Sequence, residues 1–128
     1  MKYMLDTNIC SYIIKGLIPK EKLVNKNIIL SSIVISELLY EAKKKNSKKL
    51  TLMMDTFINT FKVLNYDIYA AKEYTKIRTK LEQKGLVIGA YDMQIAAHAK
   101  SINAILVTNN EREFKQINNL KIENWVEK

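Results

Sequence analysis

Short apolar runs at Tyr3–Leu5, Ile28–Leu30, Val63–Leu64 and Ala104–Val107 alternate with longer stretches whose apolar residues recur at helical spacing. No other feature narrows the fold as much. The short runs read as buried strands. The stretches between them read as helices over Ile9–Lys15, Ile33–Lys45, Leu50–Phe61, Ile68–Lys84 and Tyr91–Ile102. In the fourth helix Ala70, Ala71, Tyr74, Ile77 and Leu81 share a face, and Gly85 supplies a stop. Ile122–Val126 is a candidate edge strand. Strand–helix alternation predicts an α/β layer fold around a mainly parallel sheet. In such sheets ligand chemistry gathers at the carboxyl ends of the strands. Asp6 stands at one such end, and Thr108-Asn109-Asn110 at another.

With 128 residues, no internal repeat and only three Gly and one Pro, the chain is expected to form a single domain, 1–128. A lone cysteine, Cys10, excludes an internal disulfide and suits a reducing compartment. The apolar segment before Asp6 is too short for a secretory signal, and no run approaches bilayer length. The expectation is a cytoplasmic protein without a membrane partner. Lys and Arg number 21 against 13 Asp and Glu, a formal charge of +8 that draws the chain toward polyanions. Nearly all the bases are Lys; only Arg78 and Arg112 offer bidentate phosphate contacts. The densest run, Lys43-Lys44-Lys45 with Lys48-Lys49, reads more readily as a solvated helix end than as a nucleic-acid contact.

The carboxylates carry the chemistry. Asp6 taken alone is ambiguous, because Asp, Thr and Asn are all good helix N-caps and a helix follows. Thr7 or Asn8 could cap that helix and leave Asp6 free. Asp92 falls on the same helical face as Ile95, Ala96, Ala99 and Ile102, so it is an acid aimed at the core in a first turn. Glu37 and Glu41 taken singly each read as surface glutamates; Glu37 lies on the flank of an apolar stripe, nearer the start of its helix than Glu41 and therefore nearer the strand end at Leu30–Ser32. Two carboxylates about 5 Å apart repel by ~3 kcal/mol at an effective dielectric near 20. If Asp6, Glu37 and Asp92 converge, they must take up protons or bind a hard cation. All-oxygen ligands favour Mg²⁺ or Mn²⁺. Oxygen cluster, metal and basic surface together point to phosphodiester hydrolysis.

Other residues carry less. His98 lies about 120° around its helix from Asp92, where a packing role is expected. Cys10 has no adjacent His or Arg to activate a thiol. Tyrosines can stack on bases, but Tyr69, Tyr74 and Tyr91 fall in helical segments where core packing is the commoner role.

The ordered blocks Met4-Leu5-Asp6-Thr7-Asn8, Ser31-Ser32-Ile33-Val34-Ile35-Ser36-Glu37-Leu38, Ile88-Gly89-Ala90-Tyr91-Asp92, Val107-Thr108-Asn109-Asn110-Glu111-Arg112-Glu113-Phe114 and Ile122-Glu123-Asn124-Trp125 resemble those of PIN-domain ribonucleases, specifically the VapC toxins of VapBC toxin–antitoxin pairs. The resemblance implies a PIN-like three-layer α/β/α fold and a Mg²⁺- or Mn²⁺-dependent endoribonuclease. It also implies a VapB-type antitoxin, a homodimer and an RNA substrate, with initiator tRNA cut in its anticodon stem-loop as the first candidate. By motif, Asp6, Glu37, Asp92 and Asn110 are the catalytic positions, with Asp6, Asp92 and Glu37 as metal ligands. Thr7, Asn8, Thr108 and Glu113 surround them. Asn110 departs from the pattern, since many PIN domains place a fourth acid there; Glu113 is expected to supply the missing carboxylate. Two rival readings are a haloacid-dehalogenase-like phosphatase, which also begins with a strand-end Asp, and a PIN-like module that binds RNA or protein with little catalysis.

Overall fold

The computed structural model describes residues 1–126. Five strands, β1 (Lys2–Leu5), β2 (Asn27–Ser31), β3 (Lys62–Leu64), β4 (Ile105–Val107) and β5 (Ile122–Glu123), form one sheet in the order β3-β2-β1-β4-β5. Every pairing is parallel. Along β1, β2 and β4 consecutive residues are buried: Met4 and Leu5, Ile28 to Ser31, and Ile105 to Val107. Successive strand residues point to opposite faces, so burial of consecutive residues means that helices cover both faces. That is the three-layer α/β/α arrangement implied by the motif resemblance.

The helices are α1 (Thr7–Ile14), α2 (Ser32–Lys45), α3 (Lys48–Thr60), α4 (Ile68–Gln83), α5 (Ala90–Ser101) and α6 (Glu111–Phe114). Their limits follow local chemistry. The Ser31, Ser47 and Asp67 side chains each accept a backbone N–H at the start of the helix that follows. Asn46 and Gly85 take up left-handed backbone after α2 and α4, where only residues tolerant of positive φ end a helix cheaply. Lys43, Lys44 and Lys45 occupy the last turn of α2, favourable to its dipole, and Lys45 pairs with Glu41 at 3.0 Å.

Several boundaries differ from the sequence expectation. α1 and α3 each begin two residues earlier than the apolar periodicity suggests, because polar Thr7-Asn8 and Lys48-Lys49 carry no hydrophobic signal, and α5 begins one residue earlier, at Ala90. The edge strand expected over Ile122–Val126 pairs only at Ile122–Glu123. Beyond it, Val126 N–H donates to the Asn124 side chain and Trp125 turns in to pack on Tyr3. A 3₁₀ turn at Lys20–Leu23 and the one-turn α6 were too short to leave a periodic trace. Along α3, Met54 and Phe57 point inward while Leu52 is exposed. No helix among the described residues is long and apolar enough to cross a membrane.

Candidate active site

From β1 the chain winds outward to β2 and β3, then crosses to the other side of β1 for β4 and β5. The order therefore reverses between β1 and β4, and their carboxyl ends open a crevice there. Leu5 pairs with Val107, and the Asp6 N–H donates to the Val107 carbonyl at 3.0 Å. Asp6 and Thr108 thus stand side by side, one residue past the last rung.

Asp6 itself caps α1. Its Oδ1 accepts the Ile9 N–H at 2.9 Å, so the task does not fall to Thr7 or Asn8. Capping and a site role are compatible, because one carboxylate oxygen remains. Asp6 is buried, and burial pushes its carboxyl above the ordinary range; the Thr108 hydroxyl and the Ile9 N–H pull it down, and Glu37 pushes it up. Thr7 is turned the other way, its Oγ1 donating to Glu37 Oε1 at 2.6 Å. This bond ties α1 to the second turn of α2, and Glu37 Oε2 makes no hydrogen bond among the described residues. Glu41, one turn on, is engaged by Lys15 and Lys45, and the Lys45 ammonium above all holds it below the carboxylate range. Asn8 is exposed and makes no side-chain hydrogen bond among the described residues.

Asp92 enters from the first turn of α5. Its carboxyl stands at about 6, raised first by burial and then by the charges of Glu113, Asp6 and Glu37. That all three act on it places four carboxyl groups in one neighbourhood. Gly89 lies against it; a Cβ there would stand 3.7 Å from Asp92 Oδ2. The Gly89 N–H donates to Glu113 Oε1 at 3.3 Å, while Asn110 Nδ2 donates to Glu113 Oε2 at 2.6 Å. Asn110 in turn rests on Thr108, whose Oγ1 accepts its N–H at 2.9 Å. Asn110 therefore brings an amide that fixes a neighbouring acid in place. Nothing in the linear sequence marked Gly89 as the second holder of Glu113, because that contact spans 24 residues.

His98 is outside this group. It is buried, with Nδ1 2.8 Å from Ser31 Oγ and its ring edge-on to Tyr66. Burial lowers its pKa. Cys10 is buried with its thiol pushed up, first by burial and then by Asp6. Tyr40 and Tyr91, by contrast, are 65% and 61% exposed, and line an open cavity of ≈ 550 Å³ with Thr7, Ile33, Ser36, Glu37 and Glu41. The sequence predicts core packing for Tyr91 and gives Tyr40 no role. Its position three residues after Glu37, about 60° around the same helix, was the available signal.

Chemically, the crevice concentrates negative charge that the protein leaves unbalanced. Among the described residues no three of His, Cys, Asp or Glu stand close enough to enclose a metal ion by themselves. A hard cation held by one or two carboxylates and otherwise by water needs no such cage. The all-oxygen donor set fits that kind of cation, as does the elevation of Asp6 and Asp92 by burial and by neighbouring carboxylates.

Comparison with known proteins bears on the whole chain. A family model described as the PIN domain matches residues 3–120. The chain is 44% identical to ribonuclease VapC2 of Rickettsia felis and 39% identical to the tRNA(fMet)-specific endonuclease VapC of Salmonella typhimurium, each alignment covering 98% of both proteins. It is also similar to the solved VapBC2 of Rickettsia felis bound to a promoter DNA fragment, with a TM-score of 0.90 and 42% identity over 98% of this chain and 99% of that one. The DNA-bound VapBC of Salmonella typhimurium gives 0.88 and 38% over 98% of each.

Proposed function

The chain belongs to the PIN-domain family, among its VapC ribonucleases, and from that premise we propose that it is a metal-dependent endoribonuclease, the toxin of a toxin–antitoxin pair. The observation that carries the proposal is the group of carboxyls where β1 and β4 part: burial raises Asp6 and Asp92, the charge of Glu37 adds to both, and those of Glu113 and Asp6 add to Asp92. A cation relieves that repulsion, and none of these carboxylates has a lysine or arginine bound to it among the described residues.

Asp92 and the uncapped oxygen of Asp6 would hold Mg²⁺ or Mn²⁺, with Glu37 reached directly or through water. Bound there, the ion supplies a water of lowered pKa and offsets charge on a phosphoryl oxygen. The chain's own residues do the rest. Thr7 fixes Glu37 Oε1, so Oε2 is oriented to take a proton from the attacking water. Gly89 and Asn110 hold Glu113 beside Asp92, where its charge adds to burial in raising the Asp92 carboxyl. The water oxygen joins phosphorus, the bond to O3′ breaks, O3′ takes up a proton from solvent, and the products carry 5′-phosphate and 3′-hydroxyl ends. The Lys-rich surface supplies sequence-independent attraction to the RNA backbone.

Initiator tRNA is the first substrate to test, since the Salmonella relative is named for it. A VapB-type antitoxin is the proposed partner, as in the solved VapBC relatives. An open apolar groove of ≈ 430 Å³, lined by Ile13, Leu23, Met53, Phe57 and Phe61 among others, is the kind of surface a partner helix covers. We also propose a homodimer, checked by light scattering. The PIN match leaves the phosphatase reading without support. The deciding assay incubates purified protein with a synthetic tRNA anticodon stem-loop and Mn²⁺, then sequences the ends. Wild type should cut and leave 5′-phosphates; Asp6→Asn should not. Equal cutting by both would refute the assignment, and intact RNA in both would favour a binding module.

A further inference from the structure

We infer that the cavity between Tyr40 and Tyr91 is a nucleobase subsite, which seats one or two unstacked bases beside the phosphate held at the carboxylate cluster. The inference rests on the nuclease reading for its orientation.

An exposed tyrosine is ordinary, but the placement of these two is not. Both phenol rings stand mostly in solvent, 65% and 61% exposed, and both border a single cavity of ≈ 550 Å³. Neither ring stacks on another aromatic among the described residues. They come from different helices, Tyr40 from α2 and Tyr91 from α5, so the two walls belong to the same elements that deliver Glu37 and Asp92. Tyr91 directly precedes Asp92, and Tyr40 follows Glu37 by less than one helical turn. Thr7 and Glu37 are common to the cavity and the site, which makes the two continuous.

Charge selects the occupant. The cavity lining contains no basic residue, and of its two acids Glu41 is already paired with Lys15 and Lys45 while Glu37 is not, so it offers backbone phosphate no partner. An uncharged aromatic ring needs no such partner and gains stacking on tyrosine faces. Phosphates on either side would lie toward the crevice or the lysine-rich exterior. This requires a single-stranded segment with splayed bases, since a paired base offers neither face nor edge.

The test separates this subsite from catalysis. Binding is measured with the intact Asp6→Asn protein and a single-stranded RNA of about ten nucleotides carrying one 2-aminopurine, whose fluorescence falls on stacking. Tyr40→Ala and Tyr91→Ala, each combined with Asp6→Asn, should weaken binding about 10-fold and restore the fluorescence. Tyr→Phe at either position should bind like the parent. An otherwise identical oligonucleotide lacking its bases should bind weakly and indifferently to all variants. Circular dichroism and light scattering on each variant verify fold and assembly. Unchanged affinity in both alanine variants, or no quenching in the parent, would overturn the inference. A change of oligomeric state with RNA affinity intact would also overturn it, because the tyrosines would then cover a second copy. Loss of cleavage in wild type refutes the nuclease reading alone, since the binding result stands without turnover.

Discussion

Replacing Asp92 by Asn should stabilise the protein while abolishing cleavage. The Asp92 carboxyl stands at about 6 in the fold against an ordinary value near 3.8. At about 1.36 kcal/mol per pKa unit, ionising it at neutral pH costs the folded state ~3 kcal/mol. Solvent reaches part of this half-buried group, so a realised gain of about 1–2 kcal/mol is expected for the isosteric amide. For a chain of this size that corresponds to a rise in Tm of about 3–8 °C. The sign follows from linkage: a carboxyl raised in the fold binds its proton more tightly there than in the unfolded chain. Its penalty is therefore complete above about pH 6 and is relieved as pH falls toward 4. The advantage of Asp92→Asn should shrink to about half near pH 5 and largely vanish near pH 4. Thermal unfolding followed by circular dichroism in EDTA at about pH 7.5, 5 and 4 measures this directly. Adding Mn²⁺ at the highest pH should raise the wild-type Tm and narrow the gap, because only the wild type retains the full charge that binds the ion. Equal or lower stability of the variant at neutral pH would refute the electrostatic argument, as would an advantage that acid leaves unchanged.

Three further outcomes are expected. Thr7→Val removes the 2.6 Å bond to Glu37; kcat should fall about 10-fold or more with stability changed by only about 0.5–1.5 kcal/mol, and a normal kcat would remove Glu37 orientation from the mechanism. Glu113→Gln should weaken Mn²⁺ binding in calorimetry and slow cleavage, since it deletes the charge that Gly89 and Asn110 hold beside Asp92; unchanged affinity and rate would show that Glu113 does not replace an acid at Asn110. Ser31→Ala takes away both the α2 cap and the partner of buried His98, and should cost about 2 kcal/mol in urea unfolding.

The strands and helices were legible because they are periodic: buried parallel strands leave continuous apolar runs, and amphipathic helices repeat at 3.6 residues. Where periodicity fails, so did the reading. The 3₁₀ turn, α6 and the polar first turns of α1 and α3 carry no apolar rhythm. Asp6 was marked by its strand-end position, and Asp92 by its place on an apolar helix face. Choosing Glu37 over Glu41 needed only position along a helix axis, and in the structure Glu41 is occupied by Lys15 and Lys45.

By itself, then, the sequence determined the α/β class, the order of elements and which acids stand where strands end or helices begin. These are local properties, set by propensity and pattern within a few residues. Only the tertiary structure decided how single atoms are shared. It assigned one Asp6 oxygen to a cap, bound Thr7 to Glu37, and set Glu113 between Gly89 and Asn110. It also decided that Tyr40 and Tyr91 face solvent across one cavity. Such facts depend on distances between residues far apart in the chain, and on where water reaches. Electrostatic energy and burial both depend on that three-dimensional arrangement, so no local pattern encodes them.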